Sequence, residues 1–103
     1  MLTMADDELI PGPHSWPVEP VIDLHTFRPQ DVGVVVEEFL ALAVEHRFAE
    51  VRIIHGKGIG NLRRAVRSIL ERHPAVENFG DASVLYGGLG ATVARLRLRL
   101  PPP

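Results

Sequence analysis

Two histidines, a carboxylate and a lysine are the residues of this chain best suited to act on an anionic substrate. Asp23 and His25 stand two apart in Val21-Ile22-Asp23-Leu24-His25, a short β-compatible run, so both are expected on one face of a strand. His55 closes a second such run, Val51-Arg52-Ile53-Ile54-His55, and opens the stretch His55-Gly56-Lys57-Gly58-Ile59-Gly60-Asn61. Lys57 is the one lysine against ten arginines. The stretch lies between an expected strand and an expected helix, where free N–H groups and the helix dipole favour an anion. The spacing is neither the GxxxxGK[ST] of a P-loop nor the GxGxxG of a dinucleotide fold. A single phosphate, such as one link of a nucleic-acid backbone, therefore suits Gly56, Lys57, Gly58, Gly60 and Asn61 better than a nucleoside triphosphate. The plainer alternative is a tight turn that uses glycine for geometry, flanked by ordinary polar residues at strand ends.

Further cations follow in the chain. Arg63 and Arg67 are four apart, with Arg64 beside them, on the polar side of the expected second helix. Arg95, Arg97 and Arg99 alternate with Leu96, Leu98 and Leu100, the clearest half-buried strand pattern in the sequence. Such rows are either a solvated surface or the electrostatic footprint of a phosphate-backbone binder. Four Phe, one Tyr and one Trp are few for a base-stacking sheet surface. A second glycine cluster, Tyr86-Gly87-Gly88-Leu89-Gly90-Ala91-Thr92, reads by itself as a loop or tight hairpin.

The elements that must position these residues alternate in period. Val32, Val35, Val36, Phe39, Leu40 and Ala43 mark one helical face between about Pro29 and His46, and Gly33 weakens its first turn. Leu62, Val66, Ile69 and Leu70 mark a second helix, from about Asn61 to His73, ended by Pro74. Val76 to Ala82 is a third strand and Thr92 to Leu100 a fourth. The order β-α-β-α-β-β predicts an α/β two-layer sandwich with a four-stranded mixed sheet and two helices. The first βαβ unit should pair its strands in parallel, which brings their carboxyl ends, and with them Asp23, His25 and His55, to one edge of the sheet.

Length and composition fit one domain. The chain has 103 residues, 46% hydrophobic and 23% charged, in the ordinary range for a soluble globular unit. Proline at positions 11, 13, 17 and 20 makes residues 1–20 an expected irregular arm, which Trp16 would pin to a folded unit of residues 21–100, with a tail at 101–103. No apolar run is long enough to span a membrane. The acidic start is unlike a signal peptide, so a cytoplasmic location is expected. The absence of cysteine excludes disulfides, thiol nucleophiles and cysteine-bound zinc. The net charge of −2 conceals a division: residues 1–51 hold ten acids and two bases, a charge of −8, whereas residues 52–103 hold nine bases and three acids, a charge of +6. If the basic turn, second helix and last strand share one side, the protein presents a basic face to DNA or RNA.

Three motifs in order resemble the small MutS-related, or Smr, domain family: Ile22-Asp23-Leu24-His25 is similar to its LDLHG motif, His55-Gly56-Lys57-Gly58 to its HGKG motif, and Gly87-Gly88-Leu89-Gly90 to its GGxG motif. The chain departs from the pattern at Thr26, where the family has glycine, and at Leu89, where it often has an aromatic residue. The 103 residues hold no mismatch-recognition, ATPase or helical-repeat pattern, so a stand-alone Smr protein is expected. The resemblance implies a nucleic-acid-binding domain, often an endonuclease that nicks DNA or cuts RNA, here with a place in DNA repair. It carries function onto Asp23 and His25, with His55, Gly56 and Lys57 nearby and Gly87, Gly88 and Gly90 at the border. Arg63, Arg64, Arg67 and Arg95 are the accompanying candidates for backbone contact. In such a site His25 would be a general base and Lys57 would stabilise charge on phosphorus. Asp23 alone is too little for a two-metal site; a single Mg²⁺ or Mn²⁺ is the cofactor it could help hold. A binding module without catalysis and a protein-interaction domain are the alternatives.

Overall fold

The structure is a computed structural model that describes residues 19–58 and 60–97. Strand β1 (Val21–Asp23) leads through two short 3₁₀ turns to helix α1 (Val32–Glu45), which is followed by β2 (Glu50–Ile54), α2 (Asn61–Arg72), β3 (Val76–Asp81) and β4 (Ala91–Leu96). The four strands form one sheet in the order β1-β2-β4-β3. β1 and β2 are parallel, with Asp23 opposite Ile54, and β4 runs antiparallel to both of its neighbours. This is the expected α/β sandwich with a mixed four-stranded sheet.

Alternation along the strands decides which face is covered. Val51, Ile53, Thr92, Ala94 and Leu96 are buried, and they pack under Val36, Phe39, Leu40 and Ala43 of α1 and Val66, Ile69 and Leu70 of α2. Glu50, Arg52, Val93 and Arg95 lie on the other face, where Glu50 is paired with Arg95 and Arg52 with Val93. Burying a leucine or isoleucine side chain contributes about 1.5–3 kcal/mol, so this one layer between helices and sheet carries the fold. Truncating the fully buried Leu40 to alanine should cost about 2–5 kcal/mol.

Several boundaries differ from the sequence reading, each for a local reason. The first strand stops at Asp23, not His25, because the Asp23 carboxylate accepts the backbone N–H of His25 and starts the 3₁₀ turn Leu24–Thr26. Pro29 opens a separate 3₁₀ turn, Pro29–Asp31, and the α-helix proper begins at Val32. Gly33 is exposed in its first turn, with open space where a Cβ would lie. The last strand begins one residue early, at Ala91, and ends at Leu96; Leu98, Arg99 and Leu100 lie outside the described residues, as do Trp16, residues 1–18 of the expected arm and the tail at 101–103.

The topology gathers one end of the sheet. The carboxyl ends of β1, β2 and β3 and the amino end of β4 all meet there, together with the start of α2.

Candidate functional site

At that edge Asp23 and His25 are in contact, through the turn and not through strand alternation. Asp23 Oδ1 accepts the His25 backbone N–H at 2.9 Å and stands 2.7 Å from His25 Nδ1. The backbone hydrogen bond, then the ring hydrogen bond, hold the Asp23 carboxyl below its ordinary value of 3.8. An ionised carboxylate only accepts, so Nδ1 carries the proton and the neutral ring keeps a lone pair at Nε2. Both side chains are about half exposed, at 58% for His25 and 52% for Asp23.

His25 Nε2 faces the glycine-lysine turn. Gly56 has φ +82°, and a Cβ built on it would lie 2.7 Å from His25 Nε2. No other residue type permits both that backbone conformation and that approach. The turn is fixed from below by the second glycine cluster: the Gly90 carbonyl accepts the N–H of His55 at 3.0 Å and that of Gly56 at 2.8 Å. The three sequence motifs therefore converge. Lys57 is exposed, packs its stem near Gly90 and has no ion pair among the described residues.

His55 has a different place from His25. It is 4% exposed, with Nδ1 2.9 Å from the Gly56 carbonyl and Nε2 2.8 Å from Thr92 Oγ1. The carbonyl only accepts, so Nδ1 donates, and the neutral ring accepts the Thr92 hydroxyl proton at Nε2. Both nitrogens are occupied, which makes His55 a brace between the turn and β4. Thr92 was not singled out by the motifs, although a polar residue at a buried position of an alternating strand is a readable signal.

Beyond the turn, α2 follows Gly60, which has φ +88° and, being glycine, offers the helix no side-chain cap. A cleft of about 210 Å³ at the start of the helix is lined by Gly56, Gly58, Gly60 and Asn61, among others. That volume suits one phosphate group. Arg64 is exposed and bonded to the Asn61 side chain.

The remaining arginines do not form one basic face. Arg63 donates to Asp81 Oδ1 at 2.7 Å and Arg67 to the same oxygen at 3.3 Å, and the Arg67 guanidinium stacks 5.0 Å from the Phe79 ring centroid. The Arg63 hydrogen bond and the two guanidinium charges outweigh desolvation and hold the Asp81 carboxyl below its ordinary value. Arg95 points from the opposite side of the sheet, 3.7 Å from Glu50. The sharing of one side by helix and last strand is thus corrected: strand alternation separates Arg95 from Arg63 and Arg67. Among the described residues no group of three or more His, Asp or Glu side chains is placed to hold a metal ion, so the donor set does not fit a dedicated Mg²⁺ or Mn²⁺ cage. Nor is any described helix long and apolar enough to cross a membrane.

Comparison with known proteins agrees with this fold. The Smr domain family model matches residues 22–97. The chain is 44% identical over 80 residues to Endonuclease MutS2 of Halalkalibacterium halodurans, covering 78% of this chain and 10% of that protein. It is 37% identical over 76 residues to Endonuclease MutS2 of Staphylococcus aureus, covering 74% and 11%. The chain thus spans about a tenth of the length of these curated relatives. Among solved structures it resembles the Smr domain of Thermus thermophilus MutS2, with a TM-score of 0.71, 38% identity, and coverage of 75% of this chain and 96% of that one. It also resembles YdaL, a stand-alone small MutS-related protein from Escherichia coli, with a TM-score of 0.67, 28% identity, and coverage of 79% and 66%. With the family match extending over all three converging motifs, the chain belongs to the Smr domain family.

Proposed function

We propose that this chain binds the phosphate backbone of DNA or RNA at the Gly56–Asn61 turn and cleaves a phosphodiester bond there, with His25 as general base. The observation that carries the reading is the Asp23–His25 pair aimed at Gly56: the carboxylate accepts the Nδ1–H hydrogen bond, and Nε2 is left to accept a proton beside the only lysine. His25 Nε2 removes the proton from a water or a ribose 2′-OH as that oxygen bonds to phosphorus, and the bond from phosphorus to the leaving oxygen breaks. Lys57 and the uncapped N–H groups of α2 stabilise the charge that builds on the phosphoryl oxygens. Asp23 is the positioning residue and His55 holds the turn. The relatives named endonucleases support this assignment, and a cytoplasmic role in DNA repair belongs to the same proposal.

The engagement of both His55 nitrogens favours one second reading. His55 is not free to serve as a general acid, and a site whose one accessible imidazole among the described residues is His25 can also be a binding module that does not cut. Incubating the protein with supercoiled plasmid and with structured RNA, with and without Mg²⁺ or Mn²⁺, separates the two. Cleavage by the wild type and none by Asp23→Ala/His25→Ala supports the enzyme. Salt-dependent binding with no cleavage under any condition supports the module.

A further inference from the structure

Four large apolar side chains lie outside the core on one short loop: Val84 is 91% exposed, Leu85 88%, Tyr86 60% and Leu89 58%. The loop is braced. The N–H groups of Tyr86 and Gly88 both donate to the Ser83 carbonyl at 2.9 Å, and that of Gly90 donates to Gly87 at 2.9 Å. Arg52 donates to the Tyr86 carbonyl at 2.8 Å, with its guanidinium 5.5 Å from the Tyr86 ring centroid. The apolar side chains are therefore held in water by an ordered backbone, and a contiguous exposed patch of this kind marks an interaction site.

Its neighbours indicate the partner. On one side the loop shares an open cleft of about 550 Å³ with Lys57, lined also by Ala82, Val84 and Leu89. On the other it shares one of about 610 Å³ with Arg52, lined also by Val21, Tyr86 and Val93. Asp81 lines both clefts and Glu50 the second, but Asp81 is already paired with Arg63 and Arg67 and Glu50 lies 3.7 Å from Arg95. Lys57 and Arg52, with no ion pair among the described residues, face the apolar or aromatic remainder. A nucleotide chain offers the matching pair, an anionic phosphate and a flat, weakly polar base, at every step. In an intact duplex the bases are stacked away from such a surface, whereas an unpaired strand can splay them onto it.

We propose that the Val84–Leu89 loop is a wedge that inserts between unstacked bases, so that the strand held at Lys57 is one with unpaired nucleotides: a single strand, a loop or a junction arm. This rests on the nucleic-acid reading given above and narrows its substrate class. Val84 and Leu85 separate neighbouring bases, one of which enters the Lys57 cleft while another stacks on the Tyr86 ring.

The test uses the full chain and a Val84→Ser/Leu85→Ser variant, whose side chains are too exposed to matter for folding. The probes are a short DNA strand carrying an adenine analogue that fluoresces on unstacking, the same strand in duplex, and the RNA equivalents. Wild type is expected to prefer the single strand and to raise its emission. The variant should lose about tenfold in single-strand affinity, lose the emission rise and bind duplex as before. Equal single-strand affinity and emission for variant and wild type would overturn the wedge, as would wild-type binding to duplex and single strand alike. A variant that turns a dimer into a monomer and binds as wild type would assign the patch to a second copy of the chain and also overturn it. Lys57→Ala in parallel keeps the two proposals apart: if it weakens binding while the wedge variant is silent, only the wedge fails. If wild type binds no strand at low salt, both fail.

Discussion

One oxygen of Asp23 accepts two hydrogen bonds from His25, the backbone N–H at 2.9 Å and the ring Nδ1 at 2.7 Å. The first builds the turn and the second sets the tautomer, so a single carboxylate both places the imidazole and selects which nitrogen is free. Asp23→Asn should reduce cleavage by about 10–100-fold, because a neutral amide holds the imidazole less firmly and an amide rotation presents a donor to Nδ1. Single-turnover cleavage rates measured beside binding affinity check this: the rate should fall while the affinity changes little.

Gly56 is the position where a methyl group does most harm. Alanine there must adopt φ near +82° and put its Cβ 2.7 Å from His25 Nε2. The conformation costs about 1–2 kcal/mol, read as a fall of ~5–15 °C in Tm, and the displaced ring should lose cleavage as fully as His25→Ala does. Thermal denaturation and cleavage assays on Gly56→Ala read the two effects separately. At Gly33 the same substitution should have the opposite sign. A Cβ there meets open space on an exposed helical turn, so Gly33→Ala is expected to stabilise by about 0.5–1 kcal/mol.

Much of this site was legible in the sequence because its residues cluster around short spacings. Asp23 and His25 are near neighbours in any conformation, and the βαβ periodicity required the ends of β1 and β2 to meet, which brought His55, Gly56 and Lys57 to them. What the sequence did not disclose depends on long-range pairing. Arg63 and Arg67 read as free cations until β3 placed Asp81, one of three acids in the basic half, beneath both. His55 read as a second imidazole until Thr92, on β4, closed its other nitrogen. The extended strand expected for His25 gave way to a turn because a side-chain carboxylate competes with the ladder for the backbone N–H.

The Asp81 pair gives a pH dependence with a definite sign. The Arg63 hydrogen bond keeps the Asp81 carboxyl below its ordinary 3.8, so the folded state binds its proton more weakly than the unfolded state does. The stabilisation is then complete above that ordinary value and is lost as pH falls through the lowered one. Wild type should have a higher urea midpoint than Asp81→Asn near neutral pH, and the difference should close in strong acid. Removing the carboxylate also frees two guanidiniums, so Asp81→Asn should bind nucleic acid more tightly, with a steeper salt dependence, in anisotropy titrations.

Lys57 should account for about one phosphate contact. In Lys57→Ala the slope of log affinity against log salt concentration is expected to fall by about 1, by similar amounts for different sequences, because a lysine on a backbone phosphate reads no base. A salt titration of wild type and variant on two unrelated oligonucleotides measures it. Arg95→Ala, on the opposite side of the sheet and beside Glu50, should leave that slope unchanged.

The most direct test of the central claim, that His25 takes a proton from the attacking oxygen at a phosphate held by the Gly56–Asn61 turn, is the cleavage rate of His25→Ala measured with its binding affinity on the same substrate. The account predicts a rate lowered by about 10²–10⁴-fold with affinity within a few-fold of wild type. A His25→Ala protein that cuts at the wild-type rate would contradict it.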